Sequence, residues 1–270
     1  MSVPRSVVSR PVALPRSRPA VPRRSAVPRA AAARCVAAGA VCSLILVGAG
    51  TAAADNNGVA DKSPRAIADA SRDAMSGVTS MRMVAEVTDK AGTTALDLRF
   101  DEQGDCVGTV TPPGGEGEAD IIKRGDDVWM KLDDALLRAQ VPGFAGEGAI
   151  ALVNGRYLHG TTDSSLLRDF AEVCDLDFFK KEFSSKPADA QLTKGARTDV
   201  DGRPAITVTS RHEDQQGTYQ VSTEGEPYLL RIQGTETPGK RIEATFSAFD
   251  EPVAAKPPAA ADSVDVSRLQ

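Results

Sequence analysis

The fold is decided by residues 80–100, which read SMRMVAEVTDKAGTTALDLRF. Apolar and polar side chains alternate on both sides of the Lys90-Ala91-Gly92 turn, with the period of two that is typical of β-strands. Two alternating runs joined by a short turn predict an antiparallel hairpin with one apolar and one polar face. Because the apolar face needs a covering layer, this stretch predicts the beginning of a larger sheet.

Similar runs continue on the C-terminal side of this hairpin. Three of them follow at 106–110, 119–123 and 128–132, and a second group occupies 190–249, where Asp201-Gly202 marks a hairpin turn. Short strands joined by tight turns indicate an antiparallel meander, whereas alternating strands and helices would indicate a parallel sheet. The sequence therefore predicts two meanders in one curved antiparallel sheet.

Helical spacing of apolar residues occurs before the first meander and between the two. Ser63 and Pro64 supply an N-cap and a proline at the first helical position, which predicts a helix over 64–76. A second helix is predicted over 163–183, and the glycine-bearing residues 144–153 are interpreted as a connector. The predicted fold class is α+β, with the two helices packed across the concave face of the sheet.

Eight apolar side chains are expected on that concave face. They are Met83, Leu98, Val110, Ile121, Met130, Val208, Leu230 and Phe246. If the helices cover the face incompletely, these residues line an apolar ligand-binding cleft, for which adaptable methionines are well suited. If the helices fill the concavity, the same residues form an ordinary core. The sequence leaves both interpretations open.

The front of the chain differs from the rest in charge. Residues 1–54 contain eight arginines and no acidic residue, which leaves 24 basic and 37 acidic residues in 55–270, a net charge of −13. Residues 35–54 carry no charge and end in Ala52-Ala53-Ala54, the small-residue pattern of a signal-peptidase site. We therefore expect 1–54 to be a secretion signal and the protein to be secreted or held in the cell envelope. The alternative is a retained N-terminal membrane anchor.

The remaining chain is expected to form one domain with two polar ends. Residues 55–62 are interpreted as a flexible start, 62–250 as the folded domain, and the Pro- and Ala-rich residues 251–270 as a disordered tail. Cys106 and Cys174 are the two cysteines that follow the leader, and in an oxidising compartment they predict one disulfide. The alternative is two buried free thiols.

Candidates for chemistry are few, since the chain has two histidines and 4% aromatic residues. His212 and the pairs Asp126-Asp127 and Asp133-Asp134 are interpreted as solvated turn residues, and Asp199–Gly202 has too few oxygen ligands for a calcium loop. No catalytic residue, metal site or cofactor is predicted. A hydrolase that uses His159 as its base is the enzymatic alternative.

Three segments carry a family resemblance: Ser63–Val87, Asp126–Lys131 and Gly155–Leu158. Their order resembles that of the LolA/LolB-like carriers and of cell-envelope lipoproteins of the LppX/LprG type. Over 62–250 the resemblance implies an unclosed antiparallel half-barrel with helices across its mouth, which binds acyl chains without catalysis. The chain departs from the lipoproteins because Cys35 follows Arg34 and Cys42 precedes the apolar run, so a released form is favoured.

The leading functional hypothesis is a secreted cell-envelope protein that binds a hydrophobic ligand, such as a lipid or a lipoprotein acyl chain. Its expected partners are that ligand and an envelope protein, with peripheral contact to a membrane. An acidic body repels phosphates, so nucleic acid is not expected as a partner. The alternative hypothesis is an extracytoplasmic protein-interaction or sensory module with a filled core.

Overall fold

The predicted run of five antiparallel strands is present in the structure, a computed structural model that describes residues 55–140, 144–165, 167–184, 190–236 and 239–268. The predicted leader, 1–54, lies outside these residues. The five strands are β1 (Ser80–Asp89), β2 (Gly92–Asp101), β3 (Cys106–Thr111), β4 (Ala119–Arg124) and β5 (Asp127–Leu132). Each pairs antiparallel with the next, as the alternating pattern predicts.

The second meander is confirmed as well, and two further strands extend the sheet on the far side of β5. These strands are β6 (Tyr157–Thr161), β7 (Gln191–Val200), β8 (Arg203–His212), β9 (Gln215–Ser222), β10 (Leu229–Glu236), β11 (Lys240–Ser247) and β12 (Ser263–Asp265). Within the described ranges they form one unclosed sheet in the order β12-β6-β5-β4-β3-β2-β1-β11-β10-β9-β8-β7. The fold is the predicted α+β half-barrel.

Strand β1 lies at the centre and joins the two meanders. Met83 is the register partner of Leu98 on β2 and of Phe246 on β11. Three of the eight expected inner-face residues therefore lie side by side. We call the face that carries them the inner face, and the helices pack on this side.

Five α-helices are present among the described residues: α1 (Pro64–Ser76), α2 (Asp134–Gln140), α3 (Phe144–Val153), α4 (Arg168–Glu172) and α5 (Leu176–Ser184). Helix α1 has the predicted bounds, and the Ser63 hydroxyl accepts a hydrogen bond from the Ala66 amide at 3.3 Å. The predicted helix over 163–183 is wrong as a single element. It breaks between α4 and α5, where the Asp175 carboxylate accepts hydrogen bonds from the amides of Asp177 and Phe178.

Two further expectations need correction. Residues 144–153 are helical rather than a connector, because the apolar run outweighs the helix-weakening effect of its glycines. Residues 251–268 do not behave as a disordered tail. Strand β12 pairs in parallel with β6, and Val266 is 2% exposed in a cluster with Leu158 and Leu167. Composition predicts a solvated tail, but the apolar side chain of Val266 is buried in this cluster.

A small hydrogen-bond network ties the end of β11 to the beginning of β1. The Asp250 carboxylate accepts bonds from the Thr79 amide at 2.8 Å, the Thr79 hydroxyl at 2.9 Å and the Tyr228 hydroxyl at 2.7 Å. Burial, followed by the bond to Asp250, raises the pKa of Tyr228 to about 12. The phenol therefore remains a hydrogen-bond donor at neutral pH.

Across the described ranges, no helix combines the length and apolar character needed to cross a membrane.

Candidate functional site

The structure brings five of the eight expected cleft residues together in one cluster on the inner face. They are Met83, Leu98, Val110, Ile121 and Phe246. Each is between 0% and 6% exposed, so the side chains are in contact with other parts of the protein rather than with solvent. In this structure the middle of the concave face is therefore covered.

The other three residues lie in separate clusters. Met130 packs under α2 and α4 with Leu136 and Ala171, and Val208 packs under α1 with Ile67. Leu230 is not on the inner face: it clusters with Val200 and Ala205. A β-bulge between Leu229 and Arg231 shifts the register there, so Leu229 takes the inner position that alternation assigns to Leu230.

Helix α5 supplies the cover over the middle of the inner face. The ring of Phe179 stacks on Phe100 with centroids 5.2 Å apart, and the ring of Phe183 meets Phe246 edge-on at 5.3 Å. Both separations are typical of favourable aromatic pairs. Phe178, on the same helix, is 53% exposed. Two of the three phenylalanines of α5 therefore fill the concavity, and the third points away from it.

Sequence reasoning placed the phenylalanines of α5 in a helix but did not identify them as site residues. The available signal was their density, because three of the eight phenylalanines in the chain lie within this nine-residue helix. Alternation along strands identifies the inner face of a sheet. It does not identify which side chains of a covering helix reach that face.

The predicted disulfide is present and fixes the position at which α5 begins. Cys106 on β3 is bonded to Cys174, whose Cα atom lies 5.7 Å away. Both cysteines are buried, at 0% and 1% exposed, in the cluster that contains Met83. The bond therefore attaches the chain just before α5 to the sheet that α5 covers.

An acidic cleft of about 520 Å³ opens beside this disulfide. Its charged lining consists of Asp101, Glu102, Asp126, Asp163, Glu172, Asp175, Asp177, Lys123 and Arg168. Acidic side chains thus outnumber basic ones by seven to two. The Lys123 ammonium donates a hydrogen bond to the Gly104 carbonyl at 2.8 Å and the Arg168 guanidinium donates one to the Asp163 carbonyl at 3.4 Å, so both cations are engaged within the protein. Among the acids, Glu102 is paired with Lys180. This cleft favours a positively charged partner.

The histidine considered as a base lies elsewhere, at the β5–β6 pair. The ring of His159 stacks on Trp129 with centroids 4.7 Å apart, and its Nε2 lies 2.9 Å from a carboxylate oxygen of Asp127. These contacts join an imidazole to an acid and an indole and include no serine or cysteine nucleophile. Within the part of the chain that the structure describes, no group of three His, Cys, Asp or Glu residues is arranged to hold a metal ion.

Comparison with solved structures identifies the architecture. The crystal structure of LprF from Mycobacterium bovis superposes with a TM-score of 0.52 at 14% sequence identity, over 73% of this chain and 97% of LprF. In fold, this chain is similar to LprF. The resemblance to cell-envelope lipoproteins that the sequence indicates is confirmed at this level, and LprF contributes the fold alone.

Two other matches have lower TM-scores. The lipoprotein LppX from Mycobacterium tuberculosis matches 72% of this chain and 98% of its own at 18% identity, with a TM-score of 0.45. A LolA-superfamily protein, NE2245 from Nitrosomonas europaea, matches 72% and 95% at 9% identity, with a TM-score of 0.28. No family model and no curated protein matches the chain.

Proposed function

We propose that this chain is an extracytoplasmic, non-catalytic protein that binds a hydrophobic ligand, such as a lipid or a lipoprotein acyl chain, on the inner face of its sheet. The observation that carries the proposal is the packing of Phe179 and Phe183 against Phe100 and Phe246. Two rings on one short helix fill the middle of the concavity. Withdrawing them leaves an apolar space of the kind that an alkyl chain occupies.

The walls of that space suit an alkyl chain in chemistry and in adaptability. Met75, Met81 and Met83 belong to the same cluster, and unbranched thioether side chains adjust to irregular ligands. Each buried methylene contributes about 0.8 kcal/mol. A chain of about ten methylenes would therefore offset the loss of two phenylalanine contacts at roughly 3–5 kcal/mol each.

The disulfide determines how such a ligand would enter. Because Cys174 is bonded to β3, the N-terminal end of α5 remains attached to the sheet. The helix would therefore swing about Cys174, and the displacement would increase towards Phe183. On this proposal, the closed arrangement is the ligand-free state of the carrier.

The proposed location is the cell envelope or the exterior of the cell. A disulfide is stable in an oxidising compartment, and the predicted leader over 1–54 would direct export. The proposed partners are a lipid or another hydrophobic small molecule, together with an envelope protein and a peripherally contacted membrane.

Native mass spectrometry of the purified protein after incubation with a lipid extract tests this function. We expect a bound lipid in the wild type, and a larger bound fraction in the Phe179→Ala, Phe183→Ala double variant because the cover is removed. Phe178→Ala is the matched control, since Phe178 lies on the same helix but is 53% exposed. Absence of bound lipid from all three proteins would overturn the proposal.

The filled inner face supports a second candidate function, a protein-interaction or sensory module. Every one of the eight expected cleft residues is at most 6% exposed, and the acidic cleft beside the disulfide offers a surface for a basic partner. A pull-down from envelope extract at low and at high salt tests this candidate. A partner held by the cleft should be released as ionic strength rises, because exposed charges are screened.

A further inference from the structure

Helix α3 is apolar on every side, yet most of it is exposed. Glu147 is the single charged residue in Phe144–Val153, and the other nine residues are apolar or glycine. Of residues 147–153, whose side chains the structure describes, Val153 alone is buried, and Leu152 is 54% exposed. A helix without a polar face is normally enclosed by the protein. The described part of the chain therefore leaves an apolar surface on α3 uncovered.

The length of α3 limits what could cover this surface. Ten helical residues extend over about 15 Å, whereas the hydrocarbon core of a bilayer is about 30 Å thick. The helix is too short to cross a membrane. It is long enough to place an apolar side chain among the acyl chains of one leaflet, as interfacial helices do.

The segment around α3 lacks the negative charge that the rest of the protein carries. Residues 135–162 contain two arginines, one glutamate and no other Asp, Glu or Lys, a net charge of +1, whereas 55–270 carries −13. The Arg138 guanidinium donates a hydrogen bond to the Glu147 carboxylate at 3.0 Å, so the one acid on the helix is paired. Lipid phosphates repel an acidic surface. This segment can approach them without that repulsion.

The C-terminal end of α3 pairs its backbone carbonyls within the protein. The Arg156 guanidinium donates to the carbonyls of Leu152 at 2.8 Å and Val153 at 3.1 Å, and the Asn154 amide donates to the Ile150 carbonyl at 2.7 Å. Carbonyls at a helix end otherwise depend on water, which the interior of a bilayer does not supply. Three of the last four carbonyls of α3 therefore need no water, and this end of the helix is suited to lipid.

We propose that α3 docks this protein on the surface of a phospholipid bilayer, with Leu152 inserted among the acyl chains and Arg156 at the level of the phosphates. This inference rests on the proposed function and deepens it, because it assigns the peripheral membrane contact to one helix. Burial of apolar surface drives the docking, and salt does not screen it. Membrane binding should therefore persist at high ionic strength, whereas a partner held by the acidic cleft is released.

Flotation with phosphatidylcholine vesicles at low and at high salt tests the assignment. Chain 55–270 contains every strand and helix named above, so it is tested without the apolar run of the leader. Leu152→Glu should lower the partition coefficient at least tenfold, because a carboxylate replaces the inserted side chain. Phe178→Glu is the matched control, since Phe178 is 53% exposed but lies beside Asp175 and Asp177, and it should stay within twofold of the wild type. Circular dichroism and thermal unfolding establish that both variants are folded.

Quenching of tryptophan fluorescence by brominated phospholipids gives a second measurement. The wild type reports Trp129, the one tryptophan of the chain. Leu152→Trp should gain an emission that the brominated acyl chains quench, whereas the tryptophan that Phe178→Trp introduces should remain unquenched. Equal quenching of the two introduced tryptophans would contradict docking through α3.

The outcomes separate this inference from the proposed function. If Leu152→Glu floats with the vesicles as the wild type does, or if the wild type does not float, docking through α3 is overturned, and a bound lipid in the native mass spectra would still support the wider function. If the native mass spectra show no lipid but flotation depends on Leu152, the docking stands and the proposed ligand is wrong. A dimer in sedimentation velocity that Leu152→Glu abolishes, with flotation unchanged, would assign the surface of α3 to a second copy and overturn the proposal.

Discussion

Cys106 and Cys174 are joined across 68 residues of chain, and their bond attaches strand β3 to the residue that precedes the Asp175 cap of α5. The covalent link and the cap lie next to each other in sequence. The beginning of α5 is therefore held both to the sheet and in a helical conformation, whereas its phenylalanines are held by packing alone.

Replacement of both cysteines by alanine should lower the free energy of unfolding by roughly 4 kcal/mol, because the disulfide restricts a long loop in the unfolded chain. Urea unfolding followed by circular dichroism measures the loss. Each single variant, Cys106→Ala or Cys174→Ala, should lose about as much as the double variant, since either change breaks the bond. A double variant as stable as the wild type would contradict the structural role.

Phe179→Ala should lower the free energy of unfolding by about 3 kcal/mol, because it removes a ring that packs on Phe100 and leaves a cavity. Phe178→Ala should change it by less than about 0.5 kcal/mol, since that side chain is mostly exposed. Parallel urea titrations measure both. Equal losses in the two variants would show that α5 does not cover the inner face as the structure describes.

Val266→Ala should lower the free energy of unfolding by about 2 kcal/mol, through lost apolar burial and the cavity left behind. The residue is 2% exposed and packs against the cluster under α4. Ser267→Ala, at an exposed neighbouring position, serves as the control and should be nearly neutral. If Val266→Ala has the same free energy of unfolding as the wild type, the C-terminal residues do not pack as described, and the disordered tail that composition predicts would be supported.

Asp250 should make the free energy of unfolding decrease as the pH becomes acidic. Burial alone would raise its pKa, but the hydrogen bonds from Thr79 and Tyr228 together lower the pKa below its ordinary value. A depressed carboxylate pKa stabilises the folded state above the unfolded value of about 3.9, and this contribution is lost as the pH falls through the folded-state pKa. Asp250→Asn should therefore be less stable at neutral pH and should lose less stability on acidification.

Urea unfolding at a series of pH values from neutral to acidic measures this dependence. Asp214→Asn, in the exposed turn before β9, is the control and should retain the acid dependence of the wild type. If the free energy of unfolding of Asp250→Asn falls with pH as steeply as that of the wild type, the network with Thr79 and Tyr228 contributes no acid-sensitive stability.

Much of the fold was predictable because each strand carries its own signal. The alternation in Met81–Val87 and Leu96–Phe100 placed β1 and β2, and the Ser63-Pro64 cap placed α1. The break between α4 and α5 and the pairing of β12 with β6 were not predictable. The pairing of β12 depends on contacts between residues that are distant in sequence, such as the burial of Val266. The break is local: the Asp175 carboxylate caps α5, but the apolar residues on both sides of it keep a helical spacing that hides the interruption.

The candidate site was predictable only in part for the same reason. Five of the eight expected residues share one cluster, because strand alternation identifies a face. Leu230 was assigned to the wrong face because a bulge adds one residue to β10 and so reverses the alternation on one side of it, and no feature of the sequence marks the bulge.

The bulge in β7 between Lys194 and Arg197 has a consequence beyond the single molecule. An open sheet ends in strands with unsatisfied backbone groups, which can recruit a second copy and begin aggregation. At this end, the irregular backbone and two cationic side chains interrupt the row of available groups, and the Lys194 ammonium donates to the carbonyls of Ala60 and Lys62. At the opposite end, β12 offers only three residues. The sheet can therefore stay unclosed without inviting self-association.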